Sequence, residues 1–259
     1  MSDIILEVNN LHKSFTIGDG QVEVLKGINV KIKQAEFVII FGPSGCGKST
    51  LLHCLLGLEE PTTGKILMDG KDYYSMTEDE RALYRRHKVG MIYQQPLWVG
   101  ALSVIENVCF PLHLLNIPDD EMLKTAENCL NTVGMIKWAN YKPTELSSGQ
   151  QQKISLARSL TTDPILIVAD EPTGNLDTVS GRELLDTFMK LVEKGKTIIM
   201  VTHDLEYLRY ATNIFHMVDG AVVEEVKPKK KFNVIGKKDG EGGFSTNVRD
   251  PELLKKLNL

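Results

Sequence analysis

A glycine-rich segment at residues 41–50 carries the residue types that bind a phosphate group. Residues 42–49 read GPSGCGKS and fit the pattern G-x-x-x-x-G-K-[ST]. Glycines let the backbone curl around an anion, its N–H groups and the next helix N-terminus face the phosphates, and Lys48 reaches the β and γ oxygens. The apolar residues before and after the loop suit a strand and a buried helix. The segment therefore predicts a nucleotide-binding loop, with the Ser49 hydroxyl directed at Mg²⁺. A plain glycine turn before a helix is the alternative.

Two acidic residues and a histidine follow two further apolar runs. Asp170 and Glu171 come directly after residues 165–169, and His203 follows residues 197–201. Beside a phosphate loop, a carboxylate at the end of a strand is placed to hold Mg²⁺, and a second one to polarise a water for attack on the γ-phosphate. We expect Asp170 and Glu171 to divide these tasks and His203 to contact the γ-phosphate. A solvated acidic turn and a structural histidine are the alternatives.

The elements that must position these residues alternate between strands and helices. Apolar runs predict strands at residues 4–8, 30–40, 65–68, 89–93, 165–169 and 197–201. Helical spacing predicts helices at residues 49–58, 78–86, 119–133 and 150–160. Alternation of this kind is typical of an α/β fold with a parallel sheet covered on both faces. Because residues 95–160 show helices and no strand pattern, we expect a helical insertion there.

Composition and charge limit the function further. The chain has 259 residues, 42% hydrophobic and 25% charged, and no cysteine pair with metal-ligand spacing, so a disordered chain and a disulfide miniprotein are excluded. Its apolar runs are too short to cross a membrane, and we expect a soluble protein without a signal peptide. Residues 227–259 hold nine basic and four acidic residues, a net charge of +5. Residues 1–226 hold 21 basic and 30 acidic residues, a net charge of −9, which does not suit a nucleic-acid surface.

The segment LSSGQQQKISLAR at residues 146–158 leads to a family. Together with GPSGCGKST, ADEPTGNLD and VTHD in this order, it resembles the ATP-binding subunit of an ABC transporter over residues 4–226. The segments QVEVLKGI and DEPTGNLD resemble the subgroup that serves lipoprotein release, macrolide export and the cell-division complex.

The resemblance implies a P-loop NTPase (RecA-like) core, an N-terminal antiparallel β subdomain and a helical subdomain inserted at about residues 97–160. It implies an ATPase domain at residues 1–226. Residues 227–259 remain as a basic extension that we expect to be flexible, with a short helical stretch at 252–257.

The resemblance also implies the roles of individual residues. Glu171 would be the general base, Asp170 the metal ligand of the acidic strand end, and Gln94 a contact to Mg²⁺ and the attacking water, with Gln95 as its possible replacement. His203 would be the switch histidine. The ATP contacts would be Phe15, Gly42, Pro43, Ser44, Gly45, Cys46, Gly47, Lys48, Ser49, Thr50, Ser147, Gly149, Gln150 and Asp177. Among these, Phe15 would stack on adenine, although a core position suits it equally.

Two residues depart from the family pattern. Ser148 replaces a glycine of the usual LSGGQ segment; a helical backbone would accommodate the serine, and a looser cap on the nucleotide is the alternative. Lys153 stands where arginine is common, which weakens any bidentate contact. Neither change removes a catalytic group, so we expect a working ATPase.

One chain carries half of each implied ATP site, because Ser147, Gly149 and Gln150 would cap the nucleotide of the opposite subunit. The resemblance therefore implies a homodimer or a second ATPase chain, and a membrane permease that holds the protein at the cytoplasmic face of the membrane. A soluble ABC-type ATPase that acts without a permease is the main alternative. A small-molecule kinase or a GTPase is the second.

Overall fold

The computed structural model describes residues 4–228. Its strands are β1 Ile4–Ile17, β2 Gly20–Lys33, β3 Phe37–Phe41, β4 Thr63–Met68, β5 Lys71–Asp72, β6 Val89–Ile92, β7 Leu166–Asp170, β8 Thr197–Thr202, β9 Asn213–Val218 and β10 Ala221–Val226. Its α-helices are α1 Lys48–Leu55, α2 Glu78–Lys88, α3 Val104–His113, α4 Asp119–Thr132, α5 Ser148–Leu160 and α6 Thr178–Glu193. Short 3₁₀ turns lie at Tyr73–Ser75, Ile136–Trp138, Pro143–Glu145 and Leu205–Tyr210. The extension from residue 229 onward, with its predicted helical stretch at 252–257, falls outside the described residues.

A six-stranded sheet forms the centre of the fold, in the order β10-β9-β3-β8-β7-β6. Every neighbouring pair from β9 to β6 is parallel, and β10 joins the edge antiparallel to β9. The carboxyl ends of β3, β6, β7 and β8 therefore meet at one edge, where ligands bind in open α/β sheets. The predicted α/β fold with a parallel central sheet is confirmed.

The central strands are buried on both faces, which explains their continuous apolar runs. Successive side chains of a strand point to opposite faces. In β3, Phe37 and Ile39 pack in a core with helices α3 to α6, whereas Val38 and Ile40 pack in a second core with α1 and the other sheet. The sheet thus separates two hydrophobic cores.

A second, four-stranded antiparallel sheet has the order β2-β1-β4-β5 and confirms the predicted N-terminal β subdomain. The single strand predicted at residues 30–40 is wrong. The run is divided between β2 and β3, which belong to different sheets. Ala35 has a positive φ of 58°, and the Glu36 carboxylate accepts a hydrogen bond from the Lys33 N–H (2.9 Å). These two features form a turn inside the apolar run.

Helices α3, α4 and α5 form the predicted helical insertion. Within residues 95–160, all of which the structure describes, no strand is present, as expected. Ser103 caps α3 through a reciprocal capping box with Glu106, a common start signal for a helix. Across residues 4–228, none of the helices combines the length and apolar character that a membrane span requires.

Candidate functional site

The phosphate-type loop connects β3 to α1 in a tightly constrained path. A Cβ on Gly42 would lie 2.1 Å from the carbonyl oxygen of Met217 in β9, so this position excludes any side chain. Gly47, the N-terminal cap of α1, has a φ of +99°, which glycine adopts most readily. The loop backbone is therefore shaped by close contact with neighbouring strands.

Lys48 folds back over the loop. It is 5% exposed, and its Nζ donates hydrogen bonds to the carbonyl oxygens of Gly42 and Pro43, each at 2.8 Å. An ammonium held by two carbonyls is ready to exchange them for phosphate oxygens. Of the other loop residues predicted to contact ATP, Pro43, Ser44, Gly45 and Ser49 are exposed, Cys46 is buried, and Thr50 is half-buried in α1.

Ser49 and Asp170 meet across the gap between α1 and β7. The Ser49 hydroxyl donates to Asp170 Oδ1 at 3.4 Å. Burial raises the pKa of Asp170, and the nearby Glu171 carboxylate raises it further. A cation would relieve this unfavourable concentration of negative charge.

This pair of oxygen donors fits Mg²⁺. That ion is usually held by one or two carboxylates together with substrate phosphates and waters. Among residues 4–228, no group of three His, Cys, Asp or Glu side chains is placed to hold a metal by itself. A serine hydroxyl and one carboxylate beside a phosphate loop match the shared mode of binding.

Glu171 and His203 approach each other at the ends of β7 and β8. His203 Nδ1 lies 3.3 Å from Glu171 Oε2, with His203 55% and Glu171 22% exposed. Glu171 has a φ of +44°, a backbone conformation that costs a non-glycine residue about 1–2 kcal/mol. Its N–H donates to the Val201 carbonyl (3.1 Å), which holds the residue in this conformation. The two predicted catalytic groups thus share one edge of the sheet.

The LSSGQ segment begins α5. Ser147 caps the helix, since its hydroxyl accepts from the Gln150 N–H (3.3 Å) while its own N–H donates to Gln150 Oε1 (2.9 Å). A Cβ on Gly149 would lie 2.7 Å from Ser180 Oγ, so α5 contacts the start of α6 here. Ser148 is the first residue of the helix and is exposed, so its backbone is helical, the condition under which a serine was expected to fit.

Lys153, where the family commonly has arginine, lies one turn further along α5. Its Nζ is 2.5 Å from Glu183 Oε2 of α6, so the substituted side chain takes part in an ion pair between these helices.

Asp177 caps α6 and accepts hydrogen bonds from the N–H groups of Val179 and Ser180, both at 3.0 Å. The Ser180 hydroxyl also donates to it at 2.7 Å. The Ser180 backbone and hydroxyl bonds hold the pKa of Asp177 below its usual value. Asp177 and Gly149 therefore share one neighbour, Ser180.

Gln94 follows β6 at the same sheet edge and is exposed. Its Nε2 lies 2.8 Å from where a Cβ on Gly174 would stand, so it rests on the segment after Glu171. Gln94 and Gln95 line a cavity of about 280 Å³ together with Pro96, Ser148, Gln151, Gln152, Asn175 and Leu176. This cavity lies between the glutamine segment and the start of α5.

Phe15 lies on β1, opposite Val22 of β2, and is half-buried. The ammonium of Lys13 lies 4.8 Å from the centre of its ring. The same hairpin approaches the phosphate loop, because the Val24 carbonyl would stand 3.0 Å from a Cβ on Gly47. Phe15 is thus outside both hydrophobic cores, on the hairpin whose Val24 approaches the loop.

The predicted site residues form two groups. The loop, Asp170, Glu171 and His203 converge at the sheet edge, whereas Ser147, Gly149 and Gln150 form the start of α5. Within residues 4–228, no hydrogen bond or ion pair joins this helix start to the phosphate loop. Sequence reasoning missed Trp98, Gln151, Gln152 and Arg158, which connect α5 to the segment after Gln94. Their one visible signal was the run of three glutamines at residues 150–152.

Comparisons with known proteins identify the family. The family model described as "ABC transporter" matches residues 25–174. The lipoprotein-releasing system ATP-binding protein LolD of Aquifex aeolicus is 41% identical, over 79% of this chain and 91% of its own. The macrolide export ATP-binding/permease protein MacB of Bdellovibrio bacteriovorus is 40% identical over 84% of this chain, which spans 33% of that longer protein.

A solved structure gives the same result. The dimeric, post-hydrolysis structure of the ATP-binding cassette MJ0796 of Methanocaldococcus jannaschii, bound to ADP and Pi, has a TM-score of 0.80 and 37% identity. The match covers 86% of this chain and 98% of that one. The suspected relation to the lipoprotein-release and macrolide-export proteins is confirmed. The chain belongs to the ABC transporter family and is one of its ATP-binding ATPase domains.

Proposed function

We propose that this chain hydrolyses ATP with Mg²⁺ to energise a separate membrane permease, for export or for mechanical work across the membrane. One observation carries the proposal. Lys48, the Ser49–Asp170 pair and the Glu171–His203 pair all lie at the carboxyl edge of one parallel sheet. This arrangement supplies a phosphate clamp, a metal site and a base within one small region.

Binding begins with the exchange of partners at Lys48. Its ammonium leaves the Gly42 and Pro43 carbonyls for the β and γ oxygens of ATP, while the loop N–H groups and the start of α1 face the phosphates. Ser49 and Asp170 would hold the magnesium ion of the nucleotide, and Gln94, in the segment after β6, would be a further contact to it. Bound Mg²⁺ neutralises charge on the β- and γ-phosphates.

Hydrolysis requires a base placed beside the γ-phosphate. Glu171 accepts a proton from a water whose oxygen forms a bond to the γ-phosphorus, as the bond from that phosphorus to the leaving ADP oxygen breaks. His203 contacts Glu171 Oε2 through Nδ1, which leaves Nε2 free to face the γ-phosphate. The positive φ of Glu171 directs its backbone away from the strand that precedes it.

The second half of each ATP site comes from another subunit. Ser147, Gly149 and Gln150 surround the N-terminus of α5, which suits contact with a phosphate. Their separation from the phosphate loop of the same chain supports a composite site, as does the dimeric form reported for the MJ0796 cassette. Asp177, which shares Ser180 with Gly149, communicates between the two halves. Phe15 stacks on the adenine of the bound nucleotide.

Exposed apolar side chains support the permease partner. Leu97 and Val99 follow Gln94 and are 67% and 40% exposed, and Phe110 and Leu114 of α3 are 41% and 52% exposed. Exposed apolar side chains of this size are suited to a contact with another protein. The kinship with LolD and MacB supports an export-type or mechanical system, and a permease there would hold this chain at the cytoplasmic face of the membrane.

The catalytic proposal is tested with Glu171→Gln. This variant replaces the carboxylate with an amide of nearly the same shape, which cannot act as the base. We therefore expect ATP binding to persist, turnover to fall at least a hundredfold and a closed dimer to accumulate. Analytical ultracentrifugation with ATP and Mg²⁺ measures the dimer, and phosphate release measures turnover. Glu127→Gln, an exposed site on α4, is the matched control. Rapid turnover by Glu171→Gln would remove Glu171 from this role.

The permease proposal is tested by purification of the tagged chain from detergent-solubilised membranes. We expect one integral membrane protein to co-purify with the wild type and to be depleted with Leu97→Ser, while ATPase activity of the isolated subunit is unchanged. Recovery without any membrane protein would favour the soluble ABC-type ATPase. We also propose that residues 1–226 are the complete ATPase domain. Deletion of residues 227–259 should then leave folding and ATPase activity intact.

A further inference from the structure

Side-chain amides connect α5 directly to the segment that contains Gln94. Gln152, 1% exposed, donates from Nε2 to the carbonyl oxygen of Tyr93 at 2.8 Å, one residue before Gln94. Gln151 accepts a hydrogen bond from Trp98 Nε1 at 2.8 Å and donates from its own Nε2 to the Leu146 carbonyl at 3.0 Å. The two glutamines therefore bond to both ends of residues 93–98 and to the residue before Ser147.

Arg158, three turns of helix beyond Ser147, makes a third connection. Its Nη1 donates to the Leu97 carbonyl at 2.6 Å, and its Cζ lies 4.7 Å from the centre of the Trp98 ring. No carboxylate of residues 4–228 forms an ion pair with it, and burial lowers its pKa. The guanidinium of Arg158 thus contacts Leu97 and Trp98, both in the segment after Gln94.

The far end of the segment is anchored as well. Asn107 of α3 is fully buried, accepts from the Val99 N–H (2.9 Å) and donates to the carbonyls of Val99, Leu102 and Ser103. Residues 93–103 are therefore held to helices α3 and α5 along their length, by the side chains of Gln151, Gln152, Arg158 and Asn107.

A cavity separates part of the glutamine segment from the start of α5. The cavity of about 280 Å³ lies between them, lined on one side by Gln94 and on the other by Ser148 and Gln152. This space interrupts direct packing between Gln94 and the first turn of α5. The hydrogen bonds of Gln151 and Gln152, and the Trp98–Arg158 stack, bridge it.

We propose that Gln152, Gln151, Trp98 and Arg158 are positioning residues that make Gln94 and the Ser147 end of α5 move as one unit. The inference rests on the proposed function, in which Gln94 serves the nucleotide of its own chain and Ser147 that of the opposite chain. A shift of this unit then changes both ATP sites of the dimer together. Leu97, exposed on the same segment, would let a permease move the unit.

Two variants remove single connections with little change in shape. Gln152→Met removes the donor to Tyr93, and Trp98→Phe keeps the ring over Arg158 but removes the N–H that reaches Gln151. Gln34→Met, at an exposed position in the turn before β3, is the matched control. Hydrogen–deuterium exchange without nucleotide measures opening of residues 93–99, and steady-state kinetics with ATP and Mg²⁺ measures kcat and KM.

We expect both variants to exchange faster in residues 93–99 while the amides in the middle of α5 keep their protection. We also expect kcat to fall about tenfold with KM unchanged, and Gln34→Met to match the wild type. A kcat within twofold of wild type in both folded variants, or unchanged exchange in residues 93–99, would overturn the proposal. If Gln152→Met does not fold, the half-buried Trp98→Phe decides by the same two measurements.

Different measurements would show that the proposed function itself is wrong. That failure would appear as a wild-type chain without ATPase activity, or as a Glu171→Gln chain that forms no ATP-dependent dimer. The exchange measurement uses no nucleotide and reports the connection in either case.

Discussion

The phosphate-loop edge and the start of α5 are built in different ways. At the loop, backbone groups determine the geometry: Gly42 lies against the Met217 carbonyl, and Gly47 lies against that of Val24. At the start of α5, side chains determine it, through the Ser147–Gln150 capping box and the amides of Gln151 and Gln152. One region is bounded by buried strands, and the other by hydrogen bonds that single substitutions can remove.

The contrast teaches where each region tolerates change. Backbone in a central sheet cannot retreat without disturbing both hydrophobic cores, whereas a half-exposed helix end can shift while its bonds re-form. We therefore expect a loop that is ready for phosphate before ATP binds. The helical side, in contrast, is expected to adjust its position during the cycle.

The largest effect is expected from Gly42→Ala. The added Cβ would stand 2.1 Å from the Met217 carbonyl oxygen, and β9 is buried, so the sheet and the loop must move apart. Overpacking typically costs about 1–3 kcal/mol, and the close contact with backbone places Gly42→Ala at the upper end of that range. We expect a lower thermal midpoint and loss of measurable ATP binding. Differential scanning fluorimetry and a fluorescent-nucleotide titration give the two values.

Gly100→Ala is the control for this substitution. A Cβ on Gly100 meets no atom within 4 Å, so stability and ATP affinity should stay at wild-type values. If Gly42→Ala behaves like Gly100→Ala, the loop is more adaptable than its close contacts indicate, and the contrast between the two regions fails.

A smaller effect is expected from Gly149→Ala, which acts on the helical side. The added Cβ would lie 2.7 Å from Ser180 Oγ and 2.8 Å from Ser180 Cβ, both side-chain atoms. We expect a loss of about 1–2 kcal/mol in the free energy of unfolding, and a lower kcat because the start of α5 is displaced. Urea unfolding and steady-state kinetics measure both.

Rescue makes this prediction specific. In the double variant Gly149→Ala/Ser180→Gly the obstructing side chain is gone, so the loss in the free energy of unfolding should be smaller than the sum of the two single losses. Ser180→Gly alone controls for the hydrogen bond that Ser180 donates to Asp177. Additive losses in the double variant would mean that the two helices do not meet at Gly149 in solution.

Much of this arrangement was predictable from local sequence. Residues 42–49, 170–171 and 203 were placed at strand ends because apolar runs precede them, and the sheet brings these ends together. The turn at residues 34–36 was not predictable, because its local signal is a left-handed Ala35 inside a long apolar run. Helix α6 and strands β9 and β10 were also missed. Their residues are stabilised by contacts with distant segments, such as the β3–β9 pairing.

The hydrogen bonds that join α5 to residues 93–98 were missed for a similar reason. A run of three glutamines looks like a solvated helix face, and only the fold shows that Gln152 is buried against Tyr93 and that Gln151 meets Trp98. Side-chain hydrogen bonds between residues 53 and 59 positions apart leave no periodic pattern. The sequence therefore predicts catalytic residues better than it predicts the residues that position them.

The smallest effect is expected from Ser148→Gly, which restores the usual LSGGQ segment. Ser148 is exposed and helical, so glycine gains no needed freedom and adds conformational entropy to the unfolded chain. We expect the free energy of unfolding to fall by less than about 1 kcal/mol and kcat to stay within twofold of wild type. Stopped-flow phosphate release provides kcat, and a tenfold rise in it would show that Ser148 obstructs the opposite nucleotide. A small effect at Ser148 and a large one at Gly42 would agree with the contrast drawn above. Backbone contacts determine the geometry of the phosphate loop, whereas side-chain contacts determine that of the start of α5.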